Sequence, residues 1–247
     1  MVVANLDFSV FLQPAVGGGG NYLVYLLWGL VWTLLLSLVS WVIAFVVGSV
    51  VGVMRTTPGK ILPKVGAFYV EIFRNIPLLV QLFIWYFVLP EIVPFFGTWF
   101  KQSIGPDTQQ FISAALCLGF FTASRVSEQV RSGINSLGRG QFGAGLALGF
   151  NVPQVYQIIL LPVAYRIIIP TLTSEFLNLI KNSAVASTIG LVELARRSGN
   201  MGEYTAKWYE ALIAVTLLYA FVNLVVMAIS RQIERATRLP GFLGGKK

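Results

Sequence analysis

Residues 22–54 read YLVYLLWGLVWTLLLSLVSWVIAFVVGSVVGVM, a run without a single charged side chain. About 20 consecutive apolar residues cross the hydrocarbon core of a bilayer, so this run is a membrane span with length left for tilt. It stops at Arg55, and Lys60 and Lys64 follow closely. Basic residues favour the cytoplasmic face, which puts the N-terminus outside. The first 54 residues hold no Lys or Arg, so the basic start of a signal peptide is missing and no cleavable leader is expected. Gly48 and Gly52 form a GxxxG step near the inner end. Such a step is either a close helix contact or the ordinary glycine content of a membrane helix.

Composition agrees with this opening. Of 247 residues, 56% are hydrophobic and 11% charged, against about 25% charged in soluble domains. The net charge is +8, but the Lys and Arg lie between apolar runs, not in a patch interleaved with aromatics. That distribution suits anionic lipid headgroups and argues against nucleic acid. Histidine is absent and Cys117 is the single cysteine. This excludes a disulfide framework, histidine metal sites and Ser-His or Cys-His nucleophile pairs. The acidic residues are scattered, so no acid–base pair converges and no catalytic residue is assigned.

Working outward from Arg55, residues Ile61 to Arg74 read as an amphipathic helix, with Ile61, Val65, Phe68 and Ile72 at helical spacing. Glu71 and Arg74 hold it at the inner interface, where they would pair. A second span runs from about Ile76 to Leu89, and a proline-rich outer loop covers Pro90 to Asp107. A third span starts near Gln109. It is apolar from Phe111 to Ala123, and then Arg125, Glu128 and Arg131 come at i, i+3 and i+6 along one side. Charges at membrane depth are costly unless they face protein or water, so this side faces a helix bundle or a cavity.

The polar inner segment 132–165 follows, with a short helix at about Gln141 to Leu148, a turn at Gly149 and a second helix from Pro153 to Leu160 capped by Asn151. Arg131, Arg139 and Arg166 bracket it in the cytoplasm. A fourth apolar stretch, Ile167 to Ile180, contains Pro170 and Glu175 and ends at Lys181. The last span is 211–230, anchored inside by Arg231, Arg235, Arg238, Lys246 and Lys247. Trp28, Trp41, Trp85 and Trp99 read as interface anchors. The fold expected is an all-α membrane protein of about five transmembrane helices, a single transmembrane domain over 1–247.

The segment 132–165 carries the main functional signal: Gly140-Gln141-Phe142-Gly143-Ala144-Gly145, then Gly149, then Ile159-Leu160-Leu161-Pro162. It resembles the EAA loop of permeases in importers of the ATP-binding-cassette (ABC) class. The glycine and the Ile-x-Leu-Pro sit at the family spacing, while Gly143 replaces the usual glutamate and Gly145 the second alanine. The resemblance marks Gln141, Gly143, Ala144, Gly149, Ile159 and Pro162 as residues that couple to an ATPase. Tyr69 to Gln81, Glu128 with Arg131, Lys181-Asn182-Ser183 and Glu193-Leu194 are similar to further segments of polar amino-acid permeases, from about Leu23 to Leu239. The resemblance is nearest to glutamate/aspartate permease subunits of Gram-negative bacteria.

That resemblance implies a type I ABC importer permease fold in the inner membrane. It implies a second homologous permease subunit around a central path, an ATP-binding-cassette ATPase dimer that binds ATP and Mg, and a periplasmic amino-acid-binding protein. It implies a transport subunit rather than an enzyme, with no cofactor or metal of its own. The residues themselves agree. Five helices are few for a complete path, and no P-loop is present: Gly59-Lys60 is followed by Ile61, without a glycine five residues earlier.

Arg125, Glu128 and Lys181 are the candidate substrate-path residues. An arginine fork can hold a carboxylate through two charge-assisted hydrogen bonds, which suits an acidic amino acid. Arg125 fits either that role or an internal ion pair with Glu128. Glu128 meets a substrate ammonium or balances Arg125. Lys181 lines the path or serves as counter-ion to Glu175 or Glu193. Glutamine, histidine and arginine are the rival substrates, and a stand-alone carrier or channel is the rival class, against which no inverted repeat is visible.

Overall fold

The computed structural model describes residues 6–16, 20–93, 97 and 104–237. Trp99, Lys101, Arg238, Lys246, Lys247 and much of the expected outer loop lie outside these residues. Helix α1 spans Tyr22–Met54, about 50 Å at 1.5 Å per residue. Helix α2 (Ile61–Asn75) ends before Ile76-Pro77, and α3 (Leu78–Ile92) follows. Helix α4 is Pro106–Asn135, α5 Arg139–Ala147, α6 Val152–Ile189, α7 Leu194–Thr205 and α8 Trp208–Thr237.

By length and apolarity α1, α6 and α8 qualify as membrane spans, and the broken pair α2/α3 makes up to four. The remaining span-length helix, α4, has the length but carries Asp107, Arg125, Glu128 and Arg131. Its Ser113, Thr122, Ser124 and Ser127 are buried in protein, so α4 hides these hydroxyls among neighbours, while Arg125 and Arg131 keep 43% and 44% of their side chains exposed. Helix α8 is the opposite case. Only 6% of its most apolar stretch is buried, and Leu217, Phe221 and Leu224 stand exposed, an apolar surface of the kind that lipid covers.

Among the described residues two helices contain a wide π turn, at Ile84–Val88 in α3 and Val155–Leu160 in α6. A proline stands two residues past the end of each, Pro90 and Pro162. A proline ring collides with the carbonyl four residues earlier, here at Tyr86 and Ile158, both inside the wide turns. The π turn relieves the collision and the helix continues. Hence the second inner-loop helix does not stop before the fourth apolar stretch, as its spacing suggests; the two are one continuous helix.

The chain forms two compact units that each take stretches of the long helices. Unit 1 holds residues 1–40, 78–118 and 178–225. Its core gathers Val10, Tyr22, Leu26, Leu194, Met201, Ala211 and Val215. The turn Phe8–Leu12 is tied down by Asp7, whose backbone N–H donates to Glu210 at 2.8 Å and whose carboxylate pairs with Lys207 at 3.4 Å.

Unit 2 holds residues 41–77, 119–177 and 226–247. Its core is Ala44, Val126, Val130, Ile134, Tyr156, Leu160, Ala164, Ile168 and Leu172. Here the GxxxG step is a helix contact. A Cβ on Gly48 would meet Val126 Cβ at 2.7 Å, and one on Gly52 would meet Val130 Cβ at 2.7 Å, so only glycine lets α1 lie this close to α4. Helix α2 joins through the Tyr69 hydroxyl, which donates to the Phe120 carbonyl at 2.7 Å. Its apolar stripe Ile61, Val65 and Phe68 points outward, as for a helix whose apolar side faces lipid.

Candidate functional site

Unit 2 contains a cavity of about 260 Å³ lined by Arg74, Phe121, Arg125, Glu128, Gln129 and Glu175. Helix α4 supplies Phe121, Arg125, Glu128 and Gln129, the last turn of α2 supplies Arg74, and α6 supplies Glu175. Glu128 gathers three arginines. Arg55 Nη1 lies 2.8 Å from Oε1, Arg74 Nη1 3.5 Å from Oε1, and Arg131 Nη1 3.4 Å from Oε2. Arg125 turns elsewhere: its Nη1 is 3.9 Å from Glu175 Oε2, and its guanidinium lies 5.1 Å from the Phe121 ring centre. Four guanidinium groups thus face two carboxylates, an excess of positive charge in and beside one cavity.

Arg125 and Glu128 therefore share the cavity without pairing with each other. Glu128 is taken by Arg55 from the end of α1 and by Arg74, and α6 brings Glu175 to Arg125. Arg74 meets Glu128, not Glu71. Lys181 lies in unit 1 and is exposed, while Glu193 of the same unit is held by Thr33, Tyr219 and the backbone of α7. Arg55, Arg74 and Glu175 are the members that sequence reasoning missed. Arg55 read only as a basic marker of the cytoplasmic side, and Glu175, a carboxylate inside an apolar stretch, was the available signal.

The inner segment is built from local rules. Helix α5 ends at Ala147, and Gly149 turns the chain with φ +88°, a left-handed conformation that favours glycine. Asn151 then caps α6 in a reciprocal box: Gln154 N–H donates to Asn151 Oδ1 at 3.0 Å, and Asn151 N–H to Gln154 Oε1 at 2.9 Å. Helix α5 folds back on the π turn through the Phe142 and Tyr156 rings, 6.2 Å apart and edge-on. A Cβ on Gly145 would meet Ile159 Cδ1 at 2.8 Å, so glycine in place of alanine tightens this hairpin. Gln141 and Ile159 are half-buried, while Gly143, Ala144, Gly149 and Pro162 are exposed, and a Cβ on Gly143 would meet nothing within 4 Å. The result is a small, smooth helical knob.

In unit 1, Glu193 is fully buried at the start of α7. It accepts from Arg196 N–H at 2.9 Å, Ala195 N–H at 3.0 Å, Thr33 Oγ1 at 3.1 Å and Tyr219 Oη at 3.1 Å. Burial pushes its carboxyl above the usual range, and these donors pull the other way. No group of three or more His, Cys, Asp or Glu among the described residues is placed to hold a metal ion.

Residues 44–239 match the family described as "Binding-protein-dependent transport system inner membrane component". The chain is 49% identical to the "Glutamate/aspartate import permease protein GltJ" of Escherichia coli (strain K12), over 97% of this chain and 98% of that protein. It is 34% identical to the "Arginine transport system permease protein ArtQ" of Bacillus subtilis (strain 168), over 69% of this chain and 73% of that protein. Among solved structures, one described as "Crystal structure of an amino acid ABC transporter with histidines" superposes with a TM-score of 0.71 at 27% identity, covering 87% of this chain and 95% of that one. An inward-facing MetNI methionine ABC transporter superposes with a TM-score of 0.72 at 24% identity, covering 87% and 97%, and bears on the fold alone. With this all-helical type I ABC importer permease fold and these relatives, the chain belongs to the family of binding-protein-dependent transport system inner membrane components.

Proposed function

We propose that this chain is the permease subunit of an ATP-driven importer of glutamate and aspartate, and that Arg125 holds the substrate's side-chain carboxylate. The observation that carries this reading is the ion-pair cluster at the cavity around Arg125: Arg74 and Arg125 line the cavity with Glu128 and Glu175, and Arg55 and Arg131 stand beside it on Glu128, four arginines to two carboxylates in all. Excess positive charge in a partly dry site favours an anionic ligand and disfavours arginine. The 49% identical relative named for glutamate/aspartate import supports the same substrate. Glu128 is the charge balance for Arg55, Arg74 and Arg131 and not a substrate contact; exposed Lys181 stays a candidate for the outer path.

In this reading segment 132–165 is cytoplasmic and its knob docks on an ATPase dimer that binds ATP and Mg. Gly143 and Ala144 give close approach, Gly149 and the Asn151 cap hold the knob's angle, and Ile159 and Pro162 tie it to α6. Movement of the knob reaches Glu175 through that continuous helix. A second homologous permease completes the path and a periplasmic binding protein delivers the amino acid. Spans 22–54 and 211–230 cross the inner membrane with the N-terminus periplasmic and the C-terminus cytoplasmic.

The test is Arg125→Met in the reconstituted importer. Uptake of glutamate and aspartate is expected to fall at least about 100-fold, the scale of two lost charge-assisted hydrogen bonds, with assembly intact. Unchanged uptake kinetics overturn the reading.

A further inference from the structure

We infer that the apolar groove between α6 and α8 is a lipid site: it takes one acyl chain of an anionic phospholipid, and Arg166 at its rim meets the headgroup. The site stands apart from the cavity around Arg125 and from whatever the protein transports.

The groove lies within unit 2 and has a volume of about 280 Å³. Trp41 of α1, Ile169, Thr173 and Phe176 of α6, and Val226 and Ile233 of α8 line it. The α6 residues fall at i, i+4 and i+7 and the α8 residues at i and i+7, so each helix turns one face to the groove. From Ile169 to Phe176, and from Val226 to Ile233, is about 10 Å of helix. That is roughly two-thirds of one leaflet's share of a hydrocarbon core about 30 Å thick. The Thr173 hydroxyl donates to the Ile169 carbonyl at 3.1 Å and is spent on its own helix. Trp41 packs on Phe176, with ring centres 5.2 Å apart.

The shape selects a chain over a helix. A volume of about 280 Å³ over that length leaves a section of roughly 30 Å², too narrow for a helix about 10–12 Å across. A partner's helix therefore stays outside, whereas a single hydrocarbon chain enters. Ile229 and Ile233 stand exposed on the α8 side, so the slot opens on a surface of the kind that lipid covers. An acyl chain in it supplies the contacts that an empty slot would deny its apolar lining.

The rim sets the choice of headgroup. Arg166 is exposed and precedes Ile169 by three positions on the same side of α6. Helix side chains lean toward the N-terminus, so the Arg166 guanidinium reaches away from the apolar walls while its stem covers the end of the slot. The α8 wall ends among Arg231, Glu234 and Arg235, two cations to one carboxylate. An anionic headgroup matches this excess, and a guanidinium fork suits its phosphate. Thr173 and Phe176 flank Glu175 in the chain, so an occupied groove also braces the helix whose carboxylate faces Arg125.

The test uses the full chain in phosphatidylcholine nanodiscs doped with a small, fixed fraction of phosphatidylglycerol brominated at mid-chain, where bromine quenches tryptophan on contact. The difference between wild type and Trp41→Phe isolates the Trp41 signal. Brominated phosphatidylglycerol is expected to occupy the site roughly five-fold better than the same fraction of brominated phosphatidylcholine, the scale of one basic residue at an anionic headgroup. Arg166→Gln is expected to make the two lipids equal, and Thr173→Phe, which fills the slot, to end the quenching by both. Where Arg166→Gln does not fold, a salt titration of wild type takes its place, and the preference is expected to shrink as salt rises. Equal quenching by the two lipids in wild type, or a preference that survives both Arg166→Gln and high salt, overturns the assignment. So does a Trp41 that neither lipid quenches, since protein, a second copy included, then covers the groove.

Discussion

Replacing Glu128 by Gln keeps the side chain's shape and removes the charge on which three arginines converge. The main cost falls on Arg55, 2.8 Å away with a side chain only 10% exposed. At that distance and an effective dielectric constant near 20, the attraction is about 6 kcal/mol before desolvation. Arg74 and Arg131 are 55% and 44% exposed, so water recovers most of what they lose. Removing one partner of a buried pair costs about 3–5 kcal/mol. Glu128 is itself 28% exposed, which places the expected loss near the low end, at about 3 kcal/mol. At roughly 2–4 °C per kcal/mol for a chain of this size, the unfolding midpoint falls by about 6–12 °C. The assay is thermal unfolding in lipid nanodiscs by tryptophan fluorescence, run as a double-mutant cycle with Arg55→Met. The double mutant is expected to recover much of the loss, because no stranded charge is left. A midpoint within about 2 °C of wild type, or strictly additive single mutants, refutes the reasoning.

Two further outcomes follow from other parts of the fold. Gly143→Glu restores the family's usual residue on a face where a Cβ meets nothing within 4 Å; its midpoint should move by less than about 0.5 kcal/mol equivalent, and a large loss in the same nanodisc assay would show that the knob's surface is not open. For Glu193, whose folded pKa is raised from 4.5 by burial, the unfolded chain gives up its proton first as pH rises. Stability is then full below pH 4.5 and declines through the raised value. Urea titrations across that window should show the decline in wild type and its absence in Glu193→Gln; identical profiles would remove Glu193 as the cause.

How much was legible beforehand depends on the range of each interaction. The Asn151 cap and the Gly149 turn were readable because both depend on residues within three or four positions of each other. The apolar stripe of α2 was readable as periodicity, but its outward direction was not, since lipid and protein core accept the same residues. One of the two roles kept open for Arg125, an ion pair with Glu128, is not the one it takes, for a related reason. The i, i+3 spacing of Arg125 and Glu128 made them neighbours, yet Arg55, just past α1, and Glu175, on α6, are the partners they meet.

The amino-acid order by itself determined that this chain lives in a membrane, where the Gly149 turn and the Asn151 cap fall, and that α4 must hide a charged side from lipid. Those outcomes follow from transfer costs and hydrogen bonds acting along one segment. Only the tertiary structure decided which carboxylate each arginine meets, that α1 touches α4 at Gly48 and Gly52, and that α6 passes through Pro162 without a break. Those depend on where helices far apart in the chain cross, and on how a π turn absorbs a proline.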